Sequence, residues 1–214
     1  MTNGRVAVID YGVGNLYSVT KALEKIGADV FATNNPAEIL AAAKIILPGV
    51  GAFKNGMQKL RERGLVDPIA TFAATGKPIL GICLGAQMLL DSSSEFGEEE
   101  GLGIIKGKVT SVNETKIENV RIPHIGWNSI ELNAESEGIT QQIFSGINNA
   151  SMFYFVHSYE MKPIDPRNLA ATCTYENLSI TAAVSRNNII GVQFHPEKSG
   201  NEGLKFLENF SGLE

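Results

Sequence analysis

The sequence predicts an α/β fold: a mostly parallel sheet flanked by helices on both faces, with an antiparallel, hairpin-rich portion appended in the C-terminal half. Two observations carry this. Up to Asp91, short β-branched runs alternate with helical stripes, the pattern of βαβ units. Between Leu169 and His195, strand-like runs instead follow closely on one another.

The elements follow in order. Arg5–Asp10 (RVAVID) is a buried strand closed by Gly12 and Gly14. Asn15–Ile26 puts Leu16, Val19, Leu23 and Ile26 on one helical stripe that stops before Gly27. Asp29–Thr33 is a second strand. Asn35 and Pro36 then supply an N-cap and a first-turn proline for a short helix through Ala42. Lys44–Leu47 is a third strand, closed by Pro48-Gly49-Val50-Gly51. Helices at Lys54–Arg63 and Asp67–Thr75 precede a strand at Pro78–Cys83 and a helix at Leu84–Asp91. Farther on, Ile104–Val112 alternates loosely and Ser151–Tyr159 (SMFYFVHSY) is rich in aromatic residues. Leu169–Thr174, Leu178–Ser185 and Asn188–His195 read as strands, with Asn187-Asn188 suited to a two-residue hairpin turn because asparagine tolerates positive φ. Gly203–Phe210 is a closing helix. The acidic Glu98–Glu100 run reads as a solvated loop. Neither a linker nor a repeat interrupts the chain, so residues 1–214 read as one domain.

A chain of 214 residues buries about 70% of its unfolded surface in one core. With 43% hydrophobic and 19% charged residues it falls outside the disordered class. The net charge of −5, with basic residues scattered, leaves no electrostatic footprint for nucleic acid. The longest apolar-looking stretch, Pro78–Leu90, is broken by Gln87 and two glycines, so no membrane span of ~20 residues is expected. Met1–Arg5 leads straight into a strand without the features of a secretory leader. Cys83 and Cys173 make no disulfide framework, which fits a reducing compartment and a cytoplasmic protein.

Three local patterns bear chemistry. Gly81-Ile82-Cys83-Leu84-Gly85, between a strand and a helix, has the G-x-nucleophile-x-G form of a nucleophile elbow with cysteine in the central place. Such a turn lifts the sulfur to a helix N-terminus, where the dipole favours thiolate, and aims the Leu84 N–H at a developing oxyanion. Taken singly, Cys83 reads first as a small buried hydrophobe, and the flanking glycines at a strand-to-helix turn bring the two readings level. In the second pattern, Gly191–Glu197 (GVQFHPE), His195 and Glu197 are expected to project the same way from a strand end, as a base with its orienting carboxylate. His124 and His157 compete for that role, but His124 has no acid nearby in sequence and His157 sits in an aromatic run. The third is the Pro48–Gly51 loop, whose glycines permit exposed N–H groups and which follows a strand predicted to lie in the same sheet as the elbow. Gly12-Val13-Gly14 lacks the third glycine of a dinucleotide fingerprint, and no Walker lysine or metal-ligand spacing occurs. No cofactor and no metal are expected.

Together, Cys83 in GICLG with Gln87, HPE at 195–197 and PGVG at 48–51 resemble the class I, triad-type glutamine amidotransferases. DYGVGN at 10–15, PHIGWN at 123–128, FYFVHSY at 153–159 and GVQFHPEKS at 191–199 narrow the resemblance to the glutaminase subunits of imidazole glycerol phosphate synthase, over essentially the whole chain. The resemblance implies hydrolysis of glutamine through a cysteine thioester. Ammonia then passes to a (β/α)8-barrel cyclase partner in a heterodimer, which forms imidazole glycerol phosphate and aminoimidazole carboxamide ribotide in histidine biosynthesis. It implies Cys83 as nucleophile, His195 as base and Glu197 as its orienting acid. Gly49, Val50, Gly51, Leu84 and Gln87 become the oxyanion and substrate-binding group, and Asn15, Trp127 and Lys198 partner-facing residues. Ala86 stands where many relatives carry methionine. The family also keeps its isolated glutaminase nearly silent, and a turn of the Gly49–Val50 peptide is the device the glycines suggest. A close paralogue serving another synthase, or a non-catalytic partner-binding domain on the same fold, remain the alternatives.

Overall fold

The computed structural model describes residues 4–114, 120–134 and 138–213; Met1–Asn3, part of the segment considered as a leader, lie outside them. The first half builds β1 (Val6–Ile9), α1 (Leu16–Lys25), β2 (Val30–Thr33), α2 (Pro36–Ala41) and β3 (Lys44–Gly49). It continues with α3 (Phe53–Glu62), α4 (Val66–Ala73), β4 (Ile79–Cys83) and α5 (Leu84–Met88). Asn35 caps α2 as its sequence requires, its side chain accepting from the Ala37 N–H at 2.9 Å. The short strands β5 (Ser92–Ser93) and β6 (Glu99–Glu100) precede β7 (Gly107–Ser111), β8 (His124–Ser129) and β9 (Glu131–Leu132). Then come α6 (Ile139–Ile143), β10 (Met152–His157), β11 (Tyr159–Pro163), β12 (Leu169–Tyr175), β13 (Leu178–Arg186), β14 (Ile189–Val192) and α7 (Gly200–Gly212).

The main sheet runs β2-β1-β3-β4-β14-β13-β12-β9. Its β2 to β14 part is parallel and its β14 to β9 part antiparallel. Strand alternation divides the core between the two faces: Val6 and Val8 pack with Val19, Leu23 and Phe206, whereas Ala7 and Ile9 pack with Ile39, Phe53 and Phe72. Helices therefore cover both faces, as the alternating pattern predicts. Two smaller antiparallel units, β10-β8 and β11-β7-β5-β6, the latter with a parallel β5–β7 pair, stand beside the main sheet.

Several boundaries differ from the sequence expectation. The third strand runs through Pro48 to Gly49, because Gly49 still pairs with Cys83 on β4. The helix after Cys83 stops at Met88 rather than Asp91, since the carbonyls of Met88, Leu89 and Leu90 accept from N–H groups of Leu102, Ile104 and Gly103. The aromatic run splits at Ser158: β10 pairs with β8 while β11 pairs with β7. Glu98–Glu100 is not simply a solvated loop, for Glu99 and Glu100 form β6 and Glu99 meets Arg61 at 2.6 Å. The strand expected to reach His195 ends at Val192. The Asn187-Asn188 turn forms as expected, with Arg186 opposite Ile189 and Asn187 at φ 54°.

Candidate active site

β3, β4 and β14 are neighbours in the sheet, and their carboxyl ends bring together the three patterns singled out in the sequence. Parallel pairing sets Gly49 opposite Cys83 on one side, and Val192 opposite Ile82 on the other. Ligands of open α/β sheets bind at such carboxyl ends. A cavity of about 390 Å³ opens here, lined by Val50, Gly51, Cys83, Leu84, Gln87 and His195 among others.

Cys83 ends β4 and precedes α5 with φ 54° and ψ −111°, a conformation that costs a non-glycine residue of order 1–3 kcal/mol. The two glycines allow it. A β-carbon at Gly85 would sit 1.8 Å from the Leu47 carbonyl oxygen, and one at Gly81 would sit 2.7 Å from the Ala86 Cα. Cys83 is 93% buried yet lines the cavity, with the side-chain amide of Gln193 donating toward its sulfur at 3.6 Å.

The His195–Glu197 pair forms by a different route from the one its spacing suggested. Pro196 opens a 3-10 turn, Pro196–Lys198, so the two side chains do not project from one face of a strand. The turn instead folds the carboxylate back, and Glu197 Oε1 lies 2.8 Å from His195 Nδ1. Both side chains are buried. Burial opposes the charged imidazole, but the neighbouring Cys83 and Glu197 outweigh it and raise the proton affinity of His195. With Nδ1 engaged by the carboxylate, Nε2 is the ring nitrogen without a hydrogen-bond partner among the described residues. Asn15 adds a contact of its own, its side-chain N–H donating to Glu197 Oε1 at 3.3 Å.

Gln87 lines the cavity with its nitrogen committed to the Tyr159 carbonyl at 2.9 Å and to Gln193 at 3.0 Å, leaving its side-chain oxygen for a ligand. Gly49 is wedged against protein rather than lining the cavity: a β-carbon there would lie 2.8 Å from the Gly85 nitrogen. Gly51 lines it at φ 96°. Sequence reasoning passed over Gln193 and Glu95. Gln193 is wholly buried, and the cue was a polar residue inside an otherwise apolar strand-end run. Glu95 also lines the cavity and accepts from the Phe53 N–H at 2.6 Å, a contact no local pattern encodes.

His124 and His157 do not compete for the base. His157 Nδ1 donates to the Tyr159 carbonyl at 2.8 Å, so its Nε2 accepts from His124 Nδ1 at 2.9 Å. Burial lowers both, His157 to about 3 and His124 to about 4, so the pair is neutral near pH 7.

Trp127 and Lys198 meet over Tyr154, with ring centroids 6.0 Å apart and the ammonium 5.8 Å from the Tyr154 ring. Trp127 is 50% exposed, beside Ile125 at 56% and Met152 at 42%, on the outer face of the β8–β10 ribbon. Asn15 contacts the Glu197 carboxylate, next in sequence to Lys198 of this patch.

The glutamine amidotransferase class-I family matches residues 7–212. The chain is 44% identical over 207 residues to the imidazole glycerol phosphate synthase subunit HisH 1 of Legionella pneumophila (strain Lens), covering 96% of this chain and 97% of that one. It is 49% identical over 205 residues to the HisH subunit of Nostoc punctiforme, covering 96% and 94%. Among solved structures, a glutamine amidotransferase superposes with a TM-score of 0.72 at 16% identity, covering 97% of this chain and 99% of that one. PurLQS from Thermotoga maritima superposes with 0.71 at 21%, covering 96% of each chain. At these identities the structural likeness bears on the fold.

Proposed function

The chain belongs to the class-I glutamine amidotransferases and, within them, to the HisH glutaminase subunits of imidazole glycerol phosphate synthase, and from that premise we propose the path by which its residues release ammonia. Cys83 Sγ, its proton already taken up by His195 Nε2, attacks the side-chain carbonyl carbon of glutamine. Glu197 holds the imidazole through Nδ1 and stabilises the imidazolium. The backbone N–H groups of Leu84 and Val50 receive the oxyanion, each such donor being worth about 10²–10³ in turnover. His195 returns the proton to the departing nitrogen, leaving ammonia and a γ-glutamyl thioester. Water, deprotonated by His195, then cleaves the thioester to glutamate and restores the thiol.

Gln87 and Gly51 contact the bound glutamine, with Gly49 shaping the loop. Glu95 supplies a carboxylate suited to the α-ammonium of an amino acid. The Trp127–Tyr154–Lys198 patch receives the (β/α)8-barrel cyclase, and a heterodimer channels ammonia between the subunits without release. Both cysteines are free and buried, which suits the reducing cytoplasm, and residues 1–214 form one amidotransferase domain.

One observation carries the reading: a cysteine on a strained strand-to-helix turn shares a cavity with a histidine held 2.8 Å from a buried carboxylate. The test is a glutaminase assay with and without the cyclase subunit. Cys83→Ala should abolish glutamine-dependent synthesis in the complex and leave ammonium-dependent synthesis intact. Appreciable glutamine turnover by Cys83→Ala would remove the nucleophile from the mechanism.

A further inference from the structure

The loop between β1 and α1 takes no part in the path above, yet it touches the site at two points. Tyr11 is fully buried, and its hydroxyl donates to the Pro48 carbonyl oxygen at 2.7 Å. The pairing of β1 with β3 ends at Val8 opposite Ile46. Beyond it, the hydroxyl of Tyr11 grips β3 where no strand partner from β1 remains. The seat for this hydroxyl exists because residue 49 is glycine: a β-carbon there would lie 2.7 Å from the Tyr11 oxygen. Gly14 backs the same peptide, a β-carbon on it falling 3.5 Å from the Gly49 nitrogen and the Pro48 carbonyl carbon. At the end of the loop, Asn15 reaches Glu197. One short segment thus spans from the oxyanion loop to the triad acid. Burial and the neighbouring Cys83 keep the phenol protonated, so it remains a donor throughout the working pH range.

We propose that Tyr11 is a positioning residue for glutamine hydrolysis, holding the Pro48 carbonyl so that the Gly49, Val50 and Gly51 peptides stand ready beside Cys83. This rests on the assignment of the Val50 N–H to the oxyanion. Tyr11→Phe removes one oxygen and keeps the ring, so it isolates the clamp.

The experiment compares wild-type and Tyr11→Phe chains, each in complex with the cyclase subunit, by amide hydrogen exchange and by kinetics. Exchange at Gly49, Val50 and Gly51 should quicken about tenfold with the remainder of the sheet unchanged, because one anchoring hydrogen bond is lost. Turnover with glutamine should fall about tenfold, a fraction of what a whole oxyanion donor supplies, with KM and the rate of Cys83 alkylation by iodoacetamide each within about twofold. Unchanged exchange at 49–51 overturns the proposal, as does a wild-type kcat. Exchange quickened across the whole sheet, or equal losses in kcat and alkylation, overturns it too, since Tyr11 would then merely support the fold. A wild-type complex inert toward glutamine would strike the functional reading instead, and the exchange comparison would still decide whether Tyr11 clamps the loop.

Discussion

A β-carbon at Gly85 would press into the Leu47 carbonyl at 1.8 Å, and the atom it meets is backbone that cannot swing aside. Gly85→Ala should therefore separate β3 from α5 and cost at least about 3 kcal/mol, read as a fall in the denaturant midpoint. A change below about 0.5 kcal/mol would contradict the close approach. Cys173 gives the opposite contrast. It is buried in β12, its thiol pushed up to about 12 by burial first and then by Glu160 and Glu131, and it stands outside the cavity. Cys173→Ala should leave glutaminase turnover within about twofold while costing roughly 1 kcal/mol of stability. At this scale much was legible. The glycines flanking Cys83 marked the turn as a possible nucleophile elbow, and the HPE run carried its own carboxylate. Tyr11, Glu95 and Gln193 were not legible as site residues, because their partners lie at Pro48, Phe53 and Gln87, distant in sequence.

The β8–β10 ribbon links the exposed aromatic patch to His195 through its backbone. The His195 N–H donates to the Tyr154 carbonyl at 2.9 Å, and the Tyr154 N–H donates to Ser199 Oγ at 3.0 Å. Trp127, directly opposite Tyr154, is the anchor of the proposed cyclase interface. Trp127→Ala should weaken binding of the cyclase by at least about tenfold in calorimetry, with the thermal midpoint of the isolated chain nearly unchanged. Wild-type affinity would place the interface elsewhere. Inside the same ribbon lies the His124–His157 pair. Both are depressed below the value near 6.5 they have when unfolded, so the unfolded chain binds more protons as pH falls. Their contribution is in place above about pH 6.5 and is lost on acidification, by up to about 2 kcal/mol per histidine at pH 5. His195 is shifted the other way, so its contribution persists at low pH and is lost only as pH rises through its raised value. Hence His157→Gln should shrink the drop in thermal midpoint between pH 7 and pH 5, and an undiminished drop would contradict the pairing. The ribbon was hidden in sequence because PHIGWN has no clean alternation and Gly126 interrupts it at φ 149°.

Across the whole molecule, the order β3-β4-β14 explains why three motifs spread over some 150 residues of chain converge. The first two belong to the parallel half, and the alternation of strands and helices placed them at one sheet edge from sequence alone. That β14 returns to pair with β4 was not legible. The hairpin signal at Asn187-Asn188 fixed its antiparallel neighbour β13, whereas its parallel pairing with β4 is a long-range choice made by burial on both faces. This single pairing delivers His195 to Cys83. The most direct measurement of that convergence is intact-protein and peptide mass spectrometry after incubating the complex with a glutamine-shaped diazoketone, which alkylates only an activated nucleophile in the glutamine pocket. One adduct on Cys83, blocked by excess glutamine and much slower to form in His195→Asn, is the predicted result. An adduct on Cys173 or on both cysteines, or labelling of Cys83 indifferent to glutamine and to His195, would contradict it.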